Sequence, residues 1–133
     1  MRSIRRIVLV AGVTLALTAL APSAAASSPK EFHLTKTCES FVLCTVATSS
    51  FKAIPAGTEI AYDWLSDFES VPTITVRNGT ATGFCTWTSE VTASCSFGTG
   101  TGRLSQFHLD VAVTLEGDSI WHWDGAYWSG DGD

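Results

Sequence analysis

Two histidines and two aspartates near the end of the chain are the residues whose types could do chemistry together: His108, Asp110, His122 and Asp124. Imidazole nitrogens and carboxylate oxygens are common ligands of divalent metals, and the same groups run general acid–base catalysis. They share a surface only if two strands pair. Gln106, His108, Asp110, Ala112 and Thr114 are the polar half of an alternating run; Phe107, Leu109, Val111, Val113 and Leu115 are its apolar half. Alternation of this length marks a β-strand with one face buried. Glu116-Gly117-Asp118 reads as a short loop, and Ile120 to Trp128 as the returning strand, with Trp121 and Trp123 in the apolar phase.

A three-residue loop (116–118) sets Leu115 opposite Ser119, Val113 opposite Trp121 and Val111 opposite Trp123. All apolar residues then share one face, so burial selects this register over a one-residue slip. On the other face Ala112 meets His122 and Asp110 meets Asp124. Two facing aspartates repel, which points to a cation, to neighbouring charge, or to a different register there. The preferred reading is still a solvated outer wall, because the opposite face is apolar and apolar faces turn inward.

The second chemical resource is aromatic. Tyr62, Trp64, Trp87, Trp121, Trp123, Tyr127 and Trp128 include all five tryptophans of the chain. Most are expected to fill a core. A pocket lined by Tyr62, Trp64, Trp87, Trp121 and Trp123 would suit a flat apolar ligand. An exposed strip would suit sugar stacking instead. Trp128, beside the Gly/Asp-rich tail, is the tryptophan expected to be most exposed.

The N-terminus has the layout of an export signal. Arg2, Arg5 and Arg6 precede the apolar stretch Ile7–Ala21, and Ala24-Ala25-Ala26 matches a small-residue cleavage site. Cleavage after Ala26 would release a secreted single domain, 27–133, with no stable membrane anchor. Removing three arginines leaves 8 − 3 = 5 basic residues against 13 acidic ones, a net charge of −8. That balance argues against nucleic acid and anionic membranes as partners. The four cysteines Cys38, Cys44, Cys85 and Cys95 all lie in the exported part. An even number in a small exported chain reads as two disulfides. Of the three connectivities, the local one, Cys38–Cys44 and Cys85–Cys95, is favoured because each pair flanks a chain reversal. The spacings fit no common zinc pattern, and no cofactor is expected.

About eight short strands follow from the pattern: Phe32–Thr37, Val42–Thr48, Thr58–Leu65, Thr73–Arg77, Thr80–Thr88, Ala93–Phe97, and the two C-terminal runs. Ser66–Pro72 reads as a polar loop with room for a helical turn. Asn78-Gly79 suggests a type I′ turn pairing Arg77 with Thr80, Thr75 with Thr82 and Val76 with Ala81. The spacing predicts an all-β fold, a small antiparallel barrel or, alternatively, a β-sandwich. The tail Ser129–Asp133 is expected to lie outside the fold. Gly98–Gly102 lacks the Lys-Ser/Thr of a phosphate loop and reads as a flexible or bulged turn. There is no Gly-x-Ser-x-Gly, and no cysteine is free for nucleophilic work if both bridges form.

Gly98-Thr99-Gly100-Thr101-Gly102-Arg103-Leu104 followed by Phe107 resembles the Gly-Thr-Gly segment of the allene oxide cyclase and dirigent barrel superfamily. Trp121-His122-Trp123-Asp124-Gly125-x-Tyr127 resembles the ending of small exported actinobacterial proteins with such barrels. The resemblance spans residues 98–128. It implies an eight-stranded antiparallel barrel whose interior acts on small apolar molecules, by steering a cyclisation or orienting radicals. None of the family's catalytic residues has a matching position here, and the chain is short for the family. The reading that follows is a secreted barrel that binds a small apolar molecule or serves as a non-catalytic scaffold. The alternatives are a cyclase-like or dirigent-like steering protein, and a sugar- or protein-binding module using exposed Trp. An enzyme is the less favoured class.

Overall fold

The computed structural model describes residues 28–117 and 119–130. The expected export signal, 1–26, and the tail residues 131–133 lie outside the described residues. Eight antiparallel strands close into a barrel in sequence order: β1 Lys30–Ser40, β2 Leu43–Ser49, β3 Glu59–Trp64, β4 Glu69–Val76, β5 Gly79–Trp87, β6 Thr92–Gly102, β7 Phe107–Leu115 and β8 Trp121–Ser129. Closure comes from β1, which pairs with β2 on one side and β8 on the other. That removes every free edge and rules out the sandwich alternative.

Alternation decides what fills the barrel. Phe32, Leu34, Val46, Ile60, Ile74, Leu109, Val113 and Trp123 point inward and are almost fully buried. Both disulfides are cross-strand pairs, Cys38–Cys44 between β1 and β2 and Cys85–Cys95 between β5 and β6. They join the residues the sequence favours. An eight-stranded barrel is just wide enough for side chains to fill, and here Trp123, Phe32, Leu109 and their neighbours occupy the interior.

The two ends differ. The hairpin loops 41–42, 65–68, 88–91 and 116–120 gather at one end, called here the loop end. The opposite end is plugged by the 50–58 segment. There Ile54 is buried, and Phe51 stacks on Phe107 at 5.3 Å and meets Tyr127 at a tilt, 4.5 Å between ring centroids.

Several sequence expectations need correction. In the last hairpin Leu115 pairs with Trp121, Val113 with Trp123, Ala112 with Asp124 and Asp110 with Ala126. The partners are thus shifted two residues from the expected register. The loop has five residues, not three: Glu116 N–H donates to Ile120 O at 2.9 Å, and Ser119 takes a positive φ of 70°. The Asn78-Gly79 hairpin shifts the same way, with Val76 against Gly79 and Thr75 against Thr80. Neither Asn78 nor Gly79 has a positive φ, so the type I′ turn does not form there. The predicted loop 66–72 is shorter, because β4 begins at Glu69 and Pro72 lies in it, opposite Tyr62. Ser129 belongs to β8 rather than to a loose tail, and Gly130 N–H donates to Gln106 O.

The Gly98–Gly102 run is not a turn between strands but the end of β6, with an irregularity where Thr82 pairs with Thr99 and Gly83 with Phe97. Gly102 takes a φ of 56°, in the left-handed region. Gly100 serves close approach: a Cβ there would collide with the carbonyl oxygen of Leu104 as segment 103–106 folds back. Gly100→Ala is therefore expected to cost at least about 2 kcal/mol in urea unfolding. Gly117→Ala, with open space around the new methyl, should change stability by less than about 0.5 kcal/mol. Equal effects would contradict this packing.

Candidate functional site

His108, Asp110, His122 and Asp124 share the outward face of β7 and β8, spread along it by the shifted register. His108 stacks on Trp128, centroids 5.5 Å apart and nearly parallel. Asp110 lies beside Ser96 and Ala126, and His122 beside Thr114 and Thr35. Asp124 binds a histidine the sequence reading passed over: His33 Nδ1 lies 2.6 Å from Asp124 Oδ1. That hydrogen bond raises the His33 pKa above its ordinary value, against a desolvation that lowers it. His33 stands on β1 directly opposite Asp124 in the ladder, so the partner of Asp124 comes from another strand; the expected Asp110–Asp124 pair does not form, because the register is shifted. Among the described residues, no three of His, Cys, Asp and Glu are grouped to hold a metal ion.

The aromatic set does assemble, at the loop end. Tyr62 stacks with Trp64 at 6.3 Å, Trp64 meets Trp87 at 5.4 Å, and Trp87 meets Trp121 edge-on at 5.6 Å. Polar anchors orient the rings: Trp64 Nε1 donates to Phe41 O at 2.8 Å, and Trp87 Nε1 donates to the buried Ser70 Oγ at 3.1 Å. Trp123 is fully buried below and packs on Phe97. Tyr127 belongs to the plugged end, and Trp128 is only half-buried on the outer wall. Trp64, not Trp128, is the most exposed tryptophan.

Under these rings lies Lys36, which the sequence reading missed. Its side chain is 1% exposed. Its position on β1 continues the inward phase of Phe32 and Leu34, and that parity was the available signal. The Nζ atom sits 4.8 Å from the Tyr62 ring centroid and 5.4 Å from those of Trp121 and Trp123. It also lies 3.3 Å from Cys44 Sγ and 3.6 Å from Cys38 Sγ. Ring faces and sulfur atoms attract a cation, but no carboxylate is within ion-pair distance of Lys36 among the described residues. Burial therefore dominates and pulls the Lys36 pKa down to about 7. Two further polar atoms in this box, Tyr62 Oη and Trp123 Nε1, are buried without a hydrogen-bond partner. Burial pushes the Tyr62 phenol upward; the Trp123 N–H opposes this from outside hydrogen-bond geometry.

The rim above the box is apolar and acidic. Among the described residues, six of the seven exposed large apolar ones are here: Phe41, Val42, Trp64, Leu65, Phe68 and Val91. Glu39, Asp63, Asp67, Glu69, Glu90 and Glu116 are exposed on or beside the same loops. The exposed basic residues Lys30, Lys52, Arg77 and Arg103 stand toward the plugged end. The barrel is thus polarised along its axis.

Two cavities lie away from the aromatic box. One of about 220 Å³ opens beside the plug, lined by Phe51, Leu104, Phe107 and Tyr127 among others. A shallow one of about 450 Å³ lies on the outer wall between Pro55 and Arg77. No protein-family model, curated protein or solved structure matches the chain.

What the box can do chemically follows from the amine. Near neutrality Lys36 exists in both protonation states, so it can act as a proton donor, a proton acceptor or a nucleophile. Its folded value lies below the unfolded 10.5. The folded barrel therefore holds fewer protons than the unfolded chain between about pH 7 and 10.5, and stability rises with pH across that window. Tyr62, shifted upward, titrates above it. His33, shifted upward, acts in the opposite sense at lower pH, but as an exposed pair contributes little. Unfolding free energy should increase by on the order of 2 kcal/mol from pH 7 to 9. Lys36→Met should abolish that slope and stabilise the barrel below pH 7. A slope unchanged by the substitution would contradict the assignment.

Proposed function

We propose that the protein is an exported, non-catalytic binding module whose working surface is the loop end of the barrel. The observation that carries this reading is the gathering of Phe41, Val42, Trp64, Leu65, Phe68 and Val91 on one rim. Contiguous exposed apolar residues within a charged surround are characteristic of interaction sites. The interleaved carboxylates favour a partner with basic and apolar side chains, a polypeptide surface rather than a neutral sugar. Two disulfides suit an oxidising, extracytoplasmic setting. Among the described residues no helix is long and apolar enough to cross a membrane.

The readings built on an internal ligand have less support. A small apolar molecule, or a substrate steered as by a cyclase or dirigent protein, needs room that Trp123 and its neighbours occupy. A place in the allene oxide cyclase and dirigent superfamily would account for the Gly-Thr-Gly segment and the eight strands, with the barrel's mouth rather than its lumen put to use.

The test uses two synthetic amphipathic peptides of equal apolar content, one lysine-rich and one glutamate-rich, with tryptophan fluorescence as the readout. The lysine-rich peptide should bind, and binding should weaken with salt. The triple variant Phe41→Ser, Leu65→Ser, Phe68→Ser should lose at least about tenfold in affinity, while Phe84→Ser on the outer wall should lose less than about twofold. Equal binding of both peptides, or no effect of the rim variant, would contradict the proposal.

A further inference from the structure

The two disulfides differ in ways that have chemical consequences. Cys85–Cys95 is buried at both residues, 0% and 2% exposed. Cys38–Cys44 stands at the loop end, with Cys44 buried and Cys38 half-buried. Lys36 Nζ lies 3.3 Å from Cys44 Sγ and 3.6 Å from Cys38 Sγ. This amine is enclosed by Tyr62 from β3 and by Trp121 and Trp123 from β8, and among the described residues no carboxylate is within ion-pair distance. Among the described residues, its positive form therefore has no anion to neutralise it while the disulfide is intact.

Thiol–disulfide exchange proceeds by attack of a thiolate on one sulfur while the other leaves as a thiolate. The rate rises as the leaving sulfur becomes a weaker base. A neighbouring ammonium stabilises a thiolate, and more strongly in a dry site than in water. The geometry assigns the roles: Cys38, the less buried residue of the pair, is the one to be attacked, and Cys44, buried and with its sulfur nearer the amine, is the one to leave.

We propose that Cys38–Cys44 is a thiol-exchange site for low-molecular-weight thiols, with Lys36 holding the departing Cys44 sulfur, while Cys85–Cys95 is purely structural. In the first step the external thiolate forms a bond to Cys38 Sγ, the Cys38–Cys44 bond breaks, and its electron pair goes to Cys44 Sγ beside the Lys36 ammonium. In the second step another external thiolate attacks the external sulfur of this mixed disulfide and releases Cys38 as a thiolate. Two external thiols are oxidised to their disulfide, and the protein disulfide is reduced to two cysteines. Air or the oxidised small-molecule thiol reverses the sequence. The site is independent of the docking role of the rim.

The experiment exposes the folded full chain to reduced glutathione, quenches at intervals with iodoacetamide, and maps the adducts by peptide mass spectrometry. Cys38–Cys44 should open at least about tenfold faster than Cys85–Cys95, with glutathione attached to Cys38. Lys36→Met should slow that opening by about tenfold. A common opening rate for the two bridges, glutathione on Cys44, or an unchanged rate in the folded variant would overturn the proposal. Should the variant not fold, the order of opening and the attachment point in the native chain decide alone.

Discussion

Strand β1 is hydrogen-bonded on both sides, to β2 and to β8, and that double pairing closes the barrel. It also leaves Lys36 no choice of direction. Turning its side chain to solvent would require a one-residue slip, which would expose Phe32 and Leu34 and break two ladders. The fold therefore tolerates a buried amine rather than give up the closure. Three ring faces and two sulfurs soften the cost, and loss of the proton near neutrality softens it further.

The same closure moves function to the barrel's ends. A lumen filled by Trp123, Phe32, Leu109 and their neighbours leaves little for an internal ligand. The plugged end is sealed by the 50–58 segment. The loop end carries apolar side chains on short hairpin loops with carboxylates among them. Those residues do not arise from core packing, because they face water. The cross-strand bridge Cys38–Cys44, next to the 41–42 loop, ties part of this surface to the rigid wall beneath it.

The strand count and the bridge pairing were legible because alternation and cysteine placement are local signals. Register was legible only in part. In both the 77–78 and 116–120 hairpins the true pairing is displaced by two residues, which leaves every side chain on its expected face. Burial fixes only the parity of a strand. The pairing depends on where the loop closes, as with Glu116 on Ile120 and the positive φ of Ser119. The aromatic cluster was legible as a list of residues but not as a chain of contacts, because its members come from β3, β5 and β8. Asp124 was read against Asp110, but its partner is His33, brought in by the β1–β8 closure that no local pattern announces. Lys36 could have been noticed by parity, since it alternates with Phe32 and Leu34. A long side chain near the end of the expected strand, Phe32–Thr37, does not signal burial until the neighbouring strands are known.

The most direct test of this account is a side-chain NMR titration of Lys36, following its Cε and Nζ resonances through the pH range. A midpoint near 7 is what an aromatic box with no carboxylate among the described residues requires. A midpoint near the ordinary lysine value of 10.5 would mean that the amine reaches water or an anion, and would contradict the buried box on which the account rests.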